Sequence, residues 1–431
     1  MDTKLKILVV GPIYGGSLPT AHYTVSALKE MGHEVEFLDF STFRNSYFKI
    51  DTVTKDNEHR RSLKDIYIGF LGEIAMAKAA SFLPELIIVI AQSPLTPVVI
   101  QRIKGGGAFV AFWFVEDFRT LLYWREVAPY YDCFFTIQRG EFFDELKKIG
   151  VKNYYYLPQA CSPDVHREIH LTEEDRRIYS SDISFMGAGY FNRRIFFQGL
   201  IDLDFKIWGT EWDYLSPLVR CLQKNGERVS PEEYVKIFTA SKINLNLHSS
   251  SYHEEIDPAG DFVNPRTFEL AACGAFQLVD YRTELDSLFK IGEEVICYRD
   301  LRDLREKIQY YLAHPDEREK ISARAMERAL KSHTFKDRMG EMLAVILEKS
   351  PLNSPLLKGG RREIKRQGIN NVEGMIKNAG IDTELKNFLS QFRGEENLSL
   401  KSIIEAIENG KGSLTRTEAI FLMMEQFLTE K

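Results

Sequence analysis

The 431-residue sequence lacks several features that would assign it quickly to a class of protein. Its five cysteines lie far apart, without a C-x-x-C pair or a Cys/His cluster, so the sequence predicts neither a disulfide framework nor a zinc site. No apolar run is long enough for a signal peptide or a membrane span, and we expect a soluble, cytoplasmic protein. A net charge of −6 argues against a general nucleic-acid binder, so any phosphate site must be local.

A dinucleotide-binding fingerprint is also missing. The glycine-rich turn after the first apolar segment, GPIYGG, does not have the spacing G-x-G-x-x-G. A second loop, GAGYFN, begins correctly at Gly187 but carries Asn192 where the third glycine belongs. An NAD-dependent oxidoreductase is therefore only the third hypothesis. Gly15 and Gly16 either serve the geometry of the turn or let a ligand approach the backbone closely.

Apolar strand patterns alternate with helical patterns along most of the chain. Near-continuous apolar segments such as KILVV, ELIIVI and INLNLH are typical of parallel sheets that are covered on both faces. Two such series occur, separated by the polar, proline-containing stretch PQACSPDVHREIHLTEEDRR. We predict an α/β protein with two doubly wound Rossmann-like domains facing a cleft, residues 1–165 and 166–349, and a small C-terminal helical module, residues 350–431.

The C-terminal module begins with a break rich in proline, glycine and basic residues. After it, apolar residues recur at helical spacing in LKNFLSQF, LKSIIEAI and AIFLMMEQFL, and Thr415 and Glu418 have the spacing of a capping box. The pattern predicts a small helical bundle. We expect it to dock a protein acceptor, a partner subunit or a second copy of the chain; the alternative is that it packs on the two domains and stabilises them.

One helix in the second domain combines structural signals with chemistry. In the segment NPRTFELAACG, Asn264 is a good N-cap, Pro265 suits the first helical position, and Gly274 is a C-terminal stop. We expect Arg266 and Glu269 to lie near the exposed N-terminal end, where free N–H groups attract anions. A surface ion pair between them would contribute only about 0.3–0.5 kcal/mol. A carboxylate that accepts from two vicinal hydroxyls of a ribose, beside positive charge for a diphosphate, is the better explanation.

Further cations lie near predicted strand ends. Arg193 and Arg194 follow the loop that begins at Gly187 and open a helix, where guanidinium groups would meet phosphates; the alternative is a solvated helix start. Lys242 precedes the strand INLNLH, either as a phosphate-binding cation or as a lysine that complements a helix C-terminus.

The first domain offers two acidic residues at the end of an apolar strand. Glu116 and Asp117 follow AFVAFWFV and should emerge on the cleft side. A carboxylate at such a position could act as a general base, and we choose Asp117 as the candidate catalytic residue. The alternative for Asp117 is an N-cap of the following helix.

The quoted segments closely resemble a known family. NPRTFELAACGAFQLVDYRTELDSLF, GEEVICYRDLRDLREKIQYYLAHPDERE and SKINLNLH resemble the glycosyltransferase-like domain of CgeB-type spore-maturation proteins, from about Ser181 to Lys349. FWFVEDFR and YLPQACSPDVH are similar to that family's first domain. The family is similar to GT-B glycosyltransferases, whose second domain binds a nucleotide sugar. The resemblance therefore implies a GT-B fold and a nucleoside diphosphate sugar as donor, with the acceptor on the first domain.

The resemblance also implies roles for individual residues. Glu269 matches the acidic residue that holds the ribose, and Asp261 falls where many relatives place a glutamate near the donor sugar. The shorter aspartate is a departure, and a solvated loop residue is the alternative. By the same analogy Arg193 or Arg194 and Lys242 would hold the diphosphate.

Trp208 and Gly209, in the segment IWGTEW, would line the nucleobase pocket; for Trp208 the alternative is core packing. No D-x-D motif is placed to hold a metal, so we expect no metal ion and no cofactor besides the nucleotide sugar. The leading hypothesis is a glycosyltransferase that moves a sugar from a nucleoside diphosphate to an unknown acceptor, a protein or a cell-surface glycan. A non-catalytic nucleotide-sugar-binding or docking protein is the second hypothesis.

Overall fold

The computed structural model describes residues 4–250, 252–349, 383–392 and 400–410, together with positions 415, 417, 418 and 422. The chain divides into two compact units, Met1–Ser354 and Pro355–Lys431. The larger unit contains two parallel sheets, each with its own helices. Among the helices of the described residues, none is both long and apolar enough to cross a membrane.

The first sheet forms because its four inner strands are short apolar segments that bury both of their faces. Its strands are β1 (Lys6–Val10), β2 (Glu34–Leu38), β3 (Leu86–Ile90), β4 (Phe109–Phe114), β5 (Cys133–Thr136) and β6 (Tyr154–Tyr156). They are all parallel, in the order β2-β1-β3-β4-β5-β6. The direction of winding reverses between β1 and β3, and the loops that follow these two strands therefore open a crevice at the carboxyl edge of the sheet.

Helices cover this sheet on both faces. They are α1 (Leu18–Glu30), α2 (Arg44–Val53), α3 (Asn57–Phe82), α4 (Pro97–Gly105), α5 (Trp124–Val127) and α6 (Glu141–Lys148). The polar segment between residues 41 and 63 forms α2 and the first part of α3. No residue of α2 is buried, so this helix lies on the surface of the domain.

The second sheet repeats the same design. Its strands are β7 (Ser181–Met186), β8 (Phe205–Trp208), β9 (Ser241–Asn246), β10 (Gln277–Asp280) and β11 (Ile296–Tyr298). They are parallel, in the order β11-β10-β9-β7-β8, so the winding reverses between β7 and β9. The accompanying helices are α7 (Glu173–Tyr179), α8 (Phe191–Phe196), α9 (Pro231–Ala240), α10 (Pro265–Ala272), α11 (Leu301–Ala313) and α12 (Pro315–Ser332).

The last helix of the larger unit, α13 (Phe335–Lys349), follows the second sheet in the chain but packs on the first. Its apolar face joins the first domain's core through Phe335, Met339, Met342, Leu343 and Ile346. The chain therefore returns to the first domain after the second is complete. The predicted boundary at residue 349 grouped this helix with the second domain, whereas its side chains stabilise the first.

The smaller unit contains α14 (Thr383–Ser390) and α15 (Leu400–Glu408). Their apolar faces form a core of their own, made of Phe388, Leu389, Phe392, Ile403, Ile404 and Ile407. The predicted capping box is present: the Thr415 N–H donates to Glu418, and the Glu418 N–H donates to the Thr415 hydroxyl. The predicted break at residues 358–366 lies outside the described residues.

Candidate functional site

The loops at the carboxyl edge of the first sheet contact those at the carboxyl edge of the second. Arg139, after β5, donates through Nε to Glu284, after β10, at 2.9 Å. Behind this contact the hydroxyl groups of Tyr23 on α1 and Tyr234 on α9 lie 3.1 Å apart. Ligands of doubly wound sheets bind at this edge, so the two domains enclose the expected common cleft.

Asp261 is one of the residues that join the two domains. It accepts a hydrogen bond of 2.9 Å from the Gln138 side chain and forms an ion pair of 3.3 Å with Arg119, and both partners belong to the first domain. Its carboxylate therefore fastens the loop before α10 to the loops after β4 and β5. The assignment of Asp261 to the donor sugar remains a prediction, and the structure adds an interdomain role.

Helix α10 begins and ends as its sequence indicates. The Asn264 side chain caps it by accepting from the Thr267 N–H at 3.2 Å, Pro265 is the first helical residue, and Gly274 adopts a φ of +64° just beyond the end. Asn264 also donates to Asn246 at the end of β9, at 2.8 Å. The cap thus ties the N-terminal end of α10 to the carboxyl edge of the second sheet.

Arg266 and Glu269 lie deeper than an exposed helix end would place them, and the expectation of exposure is wrong for Glu269, which is buried. Arg266 Nη1 lies 2.6 Å from Glu269 Oε2, and the guanidinium packs over the rings of Tyr234 and Phe238. Those rings cover the pair and displace water. Within the described residues, neither of the two paired atoms has a well-aligned hydrogen bond, so the Glu269 carboxylate retains acceptor capacity.

His166 is a further neighbour of Glu269. Its Nε2 lies 3.7 Å from Glu269 Oε1 and 2.8 Å from the Tyr234 hydroxyl. Burial lowers the pKa of His166, despite the opposing effect of Glu269. A neutral imidazole therefore leaves Arg266 as the cation that balances Glu269.

Arg193 is buried beneath the loop that follows β7. Its guanidinium donates to the Leu247 carbonyl at 2.9 and 2.7 Å and to the Ala188 carbonyl at 3.0 Å. These acceptors are neutral, and within the described residues no carboxylate forms an ion pair with it. Burial lowers the pKa of Arg193 to about 10, although the group stays charged at neutral pH. The structure thus places a buried cation, without an ion-pair partner among the described residues, at the carboxyl ends of β7 and β9.

The neighbouring loops approach each other through glycine. At Gly209, where φ is +114°, a Cβ atom would lie 2.6 Å from the carbonyl oxygen of Gly187. No other residue fits there, because both the space and the backbone conformation exclude a side chain. Arg194, half-buried on α8, follows Arg193 beside this glycine-lined edge. Ligand contacts by Gly187, Gly209 and Arg194 remain predictions.

Two residues that were expected to contact the donor, Trp208 and Lys242, lie away from the cleft. Trp208 is fully buried and packs against Tyr179, with ring centroids 5.4 Å apart, so it belongs to the core and not to a nucleobase pocket. Lys242 is the second residue of β9, about 13 Å from the carboxyl end of that strand. Its side chain is 57% exposed and forms a 2.6 Å ion pair with Asp182 at the amino edge of the sheet. Lys242 therefore cannot contact a diphosphate in the cleft.

The glycine turn of the first domain is shaped by Gln92, which follows β3. At Gly15, where φ is +106°, a Cβ atom would lie 2.0 Å from Gln92 Oε1. Gln92 itself has a φ of +66°, a strained conformation for a residue that is not glycine. A Cβ atom at Gly16 would face open space. The turn geometry thus explains Gly15, and Gly16 stays a candidate for ligand contact.

The two acidic residues after β4 have different surroundings. Asp117 accepts from the Arg119 N–H at 3.0 Å and from Gln138 at 3.3 Å, so it caps a turn and not the helix that the sequence suggested. Burial raises the pKa of Glu116 to about 7, against the opposing effect of the Ser17 hydroxyl. A base with a pKa near neutral pH is suited to proton transfer, so the pKa shift points to Glu116, while the catalytic role of Asp117 remains a prediction.

Comparisons with known proteins match these features. Residues 193–344 match the family model described as glycosyl transferase-like. This match lies within the second domain. The chain is 26% identical over 286 residues to spore protein CgeB of Bacillus subtilis (strain 168). The alignment covers 63% of this chain and 86% of CgeB. The resemblance to CgeB-type proteins that the sequence indicated is therefore confirmed.

Solved structures extend the likeness to the whole larger unit. A glycosyltransferase from Rickettsia africae ESF-5 superimposes with a TM-score of 0.54 at 13% identity, covering 83% of this chain and 100% of that one. Anabaena Alr3699/HepE, in complex with UDP and glucose, has a TM-score of 0.53 at 10% identity, covering 79% and 99%. The predicted GT-B fold and glycosyltransferase class are confirmed.

A buried network in the glycosyl transferase-like domain escaped sequence reasoning. Asp280, at the end of β10, accepts from Arg282 Nε at 2.9 Å and pairs with His248 Nδ1 at 2.6 Å. His248 Nε2 accepts the Asn264 N–H at 2.9 Å. Burial lowers the pKa of His248 to about 4, so the imidazole is neutral and can accept this bond. The network holds the start of α10, and its only sequence signal is charge at strand ends.

Within the described residues, no group of three or more His, Cys, Asp or Glu side chains is placed to hold a metal ion. Arginine side chains and the positive end of the α10 helix dipole contribute positive charge to the cleft.

Proposed function

We propose that this GT-B protein transfers a sugar from a nucleoside diphosphate sugar to a hydroxyl group of an acceptor held by the first domain. The observation that carries the proposal is Arg193. Its buried guanidinium is bonded to neutral carbonyl groups, and among the described residues no carboxylate forms an ion pair that would offset its desolvation, although Asp280 acts on it electrostatically. A diphosphate at the carboxyl end of β7 would form that ion pair. The complex of the HepE neighbour with UDP and glucose supports the same class of donor.

The remaining donor contacts follow from α10. Glu269 would accept hydrogen bonds from the ribose hydroxyls, because its carboxylate is buried without a well-aligned partner among the described residues. Arg193 and the N-terminal end of α10 would stabilise the charge of the departing diphosphate. We therefore propose that the reaction needs no metal ion and no further cofactor.

A second candidate is a protein that binds a nucleotide sugar without turnover. It is favoured by Asp261, the residue proposed near the donor sugar, because its carboxylate is held by Arg119 and Gln138 of the first domain. A carboxylate held in this way is less free to contact a sugar.

Isothermal titration calorimetry with UDP-, GDP-, TDP- and CMP-linked sugars and with NAD tests these proposals. We expect one class of sugar nucleotide to bind and to be hydrolysed or transferred. Binding without any turnover, across saccharide and peptide acceptors, would favour the second candidate. Binding of NAD alone would overturn both.

A substitution at Arg193 tests the observation itself. Arg193→Lys keeps a charge but loses the planar group that spans the two carbonyls, so affinity for the nucleoside diphosphate should fall more than affinity for the nucleoside. The matched control is Lys242→Gln, at the opposite edge of the sheet. Equal losses for diphosphate and nucleoside would indicate damage to the fold and would contradict the assignment.

A further inference from the structure

A short segment before α10, residues 260–264, connects the second domain to the first, and we call it the bridging segment. Its Asp261 side chain accepts from Gln138 at 2.9 Å and forms an ion pair of 3.3 Å with Arg119. The next side chain, Phe262, packs against the hydrophobic core of the first domain. The middle of the bridging segment therefore docks on the first domain.

His248 holds one end of the bridging segment, at Asn264. The imidazole Nε2 accepts the Asn264 N–H at 2.9 Å, and Nδ1 lies 2.6 Å from Asp280 Oδ1. Because Nε2 accepts a hydrogen bond, the ring proton is on Nδ1 and is donated to Asp280. The backbone N–H of His248 also donates to Asp280, at 2.9 Å. These bonds fix the start of α10, the helix that carries Arg266 and Glu269.

Arg282 holds the other end of the bridging segment, at Gly260. The Thr283 N–H donates to the Gly260 carbonyl oxygen at 3.0 Å. A Cβ atom at Gly260 would lie 1.6 Å from Arg282 Nη1, so the backbone passes directly over the guanidinium. The φ of Gly260 lies outside the left-handed region, so it is the lack of space that excludes a side chain. Arg282 is 1% exposed and has no solvent-filled space to move into.

One buried carboxylate, Asp280, anchors both ends. Asp280 accepts from His248 through Oδ1, and from Arg282 Nε through Oδ2 at 2.9 Å. Burial opposes its ionisation, but Arg282 and His248 nevertheless lower the pKa of Asp280. These three side chains, which we call the buried triad, therefore set the distance between the two ends of the bridging segment.

We propose that the buried triad is a positioning device for sugar transfer: it fixes the bridging segment, and through Asp261 and Phe262 it sets the position of the first domain relative to a donor bound at α10. The same three side chains hold the start of α10 and the interdomain contact, so donor and acceptor keep one mutual geometry. A misplacement of about 1 Å can lower the rate of a reaction about 10²-fold. His248 and Arg282 are positioning residues, because they are buried and act through the bridging segment. This inference rests on the proposed sugar transfer.

Gly260→Ala tests the bridging segment without removing a buried charge. The added methyl group meets Arg282, so the segment must shift while Arg282 still pairs with Asp280. Hydrogen-exchange mass spectrometry of the full chain should show amide exchange that is about 10-fold faster in the loops after β4 and β5, which lose their contact with Asp261. The matched control is Gly69→Ala on α3, where a Cβ atom faces open space. Exchange in these loops equal to that of the control would overturn the proposal.

Turnover separates positioning from binding. Calorimetry with UDP, GDP and TDP measures affinity, and their sugar conjugates, with methyl glycosides or serine-containing peptides as acceptors, measure transfer. In Gly260→Ala we expect the affinity for the nucleoside diphosphate to stay within about 3-fold, because His248 still holds Asn264, while kcat falls by about 10- to 100-fold. An unchanged kcat, or a loss of affinity as large as the loss of kcat, would overturn the positioning role.

Arg282→Lys provides a test by rescue. A lysine keeps a charge beside Asp280 but has no group in the place of Nη1, so the methyl group of Gly260→Ala gains space. The double variant should therefore have a kcat at least about 3-fold higher than Gly260→Ala alone, with slower exchange in the loops after β4 and β5. The absence of any recovery would overturn the proposal. A wild type that binds none of the three nucleotides would refute the proposed function, whereas the exchange measurement decides on the bridging segment without any ligand.

Discussion

Replacing Glu116 by glutamine removes a carboxyl group whose ionisation the fold opposes. Burial, reinforced by Asp117 and opposed by Ser17, raises the pKa of Glu116 from 4.5 to about 7. Between these two values the folded protein holds a proton that the unfolded chain has released, so the free energy of unfolding falls as pH rises. At about 1.4 kcal/mol for each pH unit, the full penalty is about 3 kcal/mol. Partial exposure of the side chain reduces it to about 2 kcal/mol.

Urea denaturation of the wild type and of Glu116→Gln measures this penalty without any knowledge of the substrate. We expect the wild type to lose about 2 kcal/mol relative to the variant between about pH 5 and about pH 8. Differences in packing between Glu and Gln do not depend on pH and cancel in this comparison. Asp117→Asn should retain most of the wild-type slope, because Glu116 is still present. A difference that is constant across the pH range would refute the reasoning.

Three further predictions concern donor binding, the interdomain contact and the smaller unit. Glu269→Gln should lower the affinity for the nucleoside and for its diphosphate alike, by about 10- to 150-fold in calorimetry, because both ligands carry the ribose. Lys242→Ala should change neither affinity. Unchanged affinity in Glu269→Gln would show that this residue does not contact the ribose. Asp261→Asn should lower the free energy of unfolding by about 1–2 kcal/mol in urea, since it weakens the contact with Arg119 and Gln138, and an unaltered midpoint would contradict that role. Deleting residues 351–431 should leave a folded protein that still binds the donor, with loss of self-association or of transfer to the natural acceptor; an unfolded product, or intact assembly and transfer, would contradict the docking hypothesis.

The strands and the caps of α10 could be predicted from the sequence, because they depend on local chemistry. A parallel strand that is buried on both faces must be apolar throughout, and β3 and β4 have that pattern. The position of α13 could not be predicted. Its apolar face indicates that the helix covers a core, but the first and second sheets are equally apolar, and only the path of the whole chain decides between them.

The errors at the site have distinct physical causes. Lys242 was assigned to the diphosphate because of its charge, although the sequence itself places it at the start of a strand, and ligands bind beyond the opposite end. Trp208 lies at the carboxyl end of β8, where a ligand contact is expected, but its ring packs in the core formed with α7 and α9. Strand register was therefore sufficient to exclude Lys242, whereas excluding Trp208 required the packing of two helices.

Glu116 illustrates what a local pattern cannot supply. The sequence places Glu116 and Asp117 together at one strand end and gives no reason to choose between them, because both are acids in the same loop. Their difference comes from the surroundings that the folded chain supplies: burial raises the pKa of Glu116, whereas the Gln138 side chain donates to Asp117. Asp117 is stabilised by this amide and by the capped turn, while Glu116 forms no ion pair among the described residues. Proton affinity at this edge is thus a property of the assembled loops, and the pH dependence of turnover is the measurement that reports it.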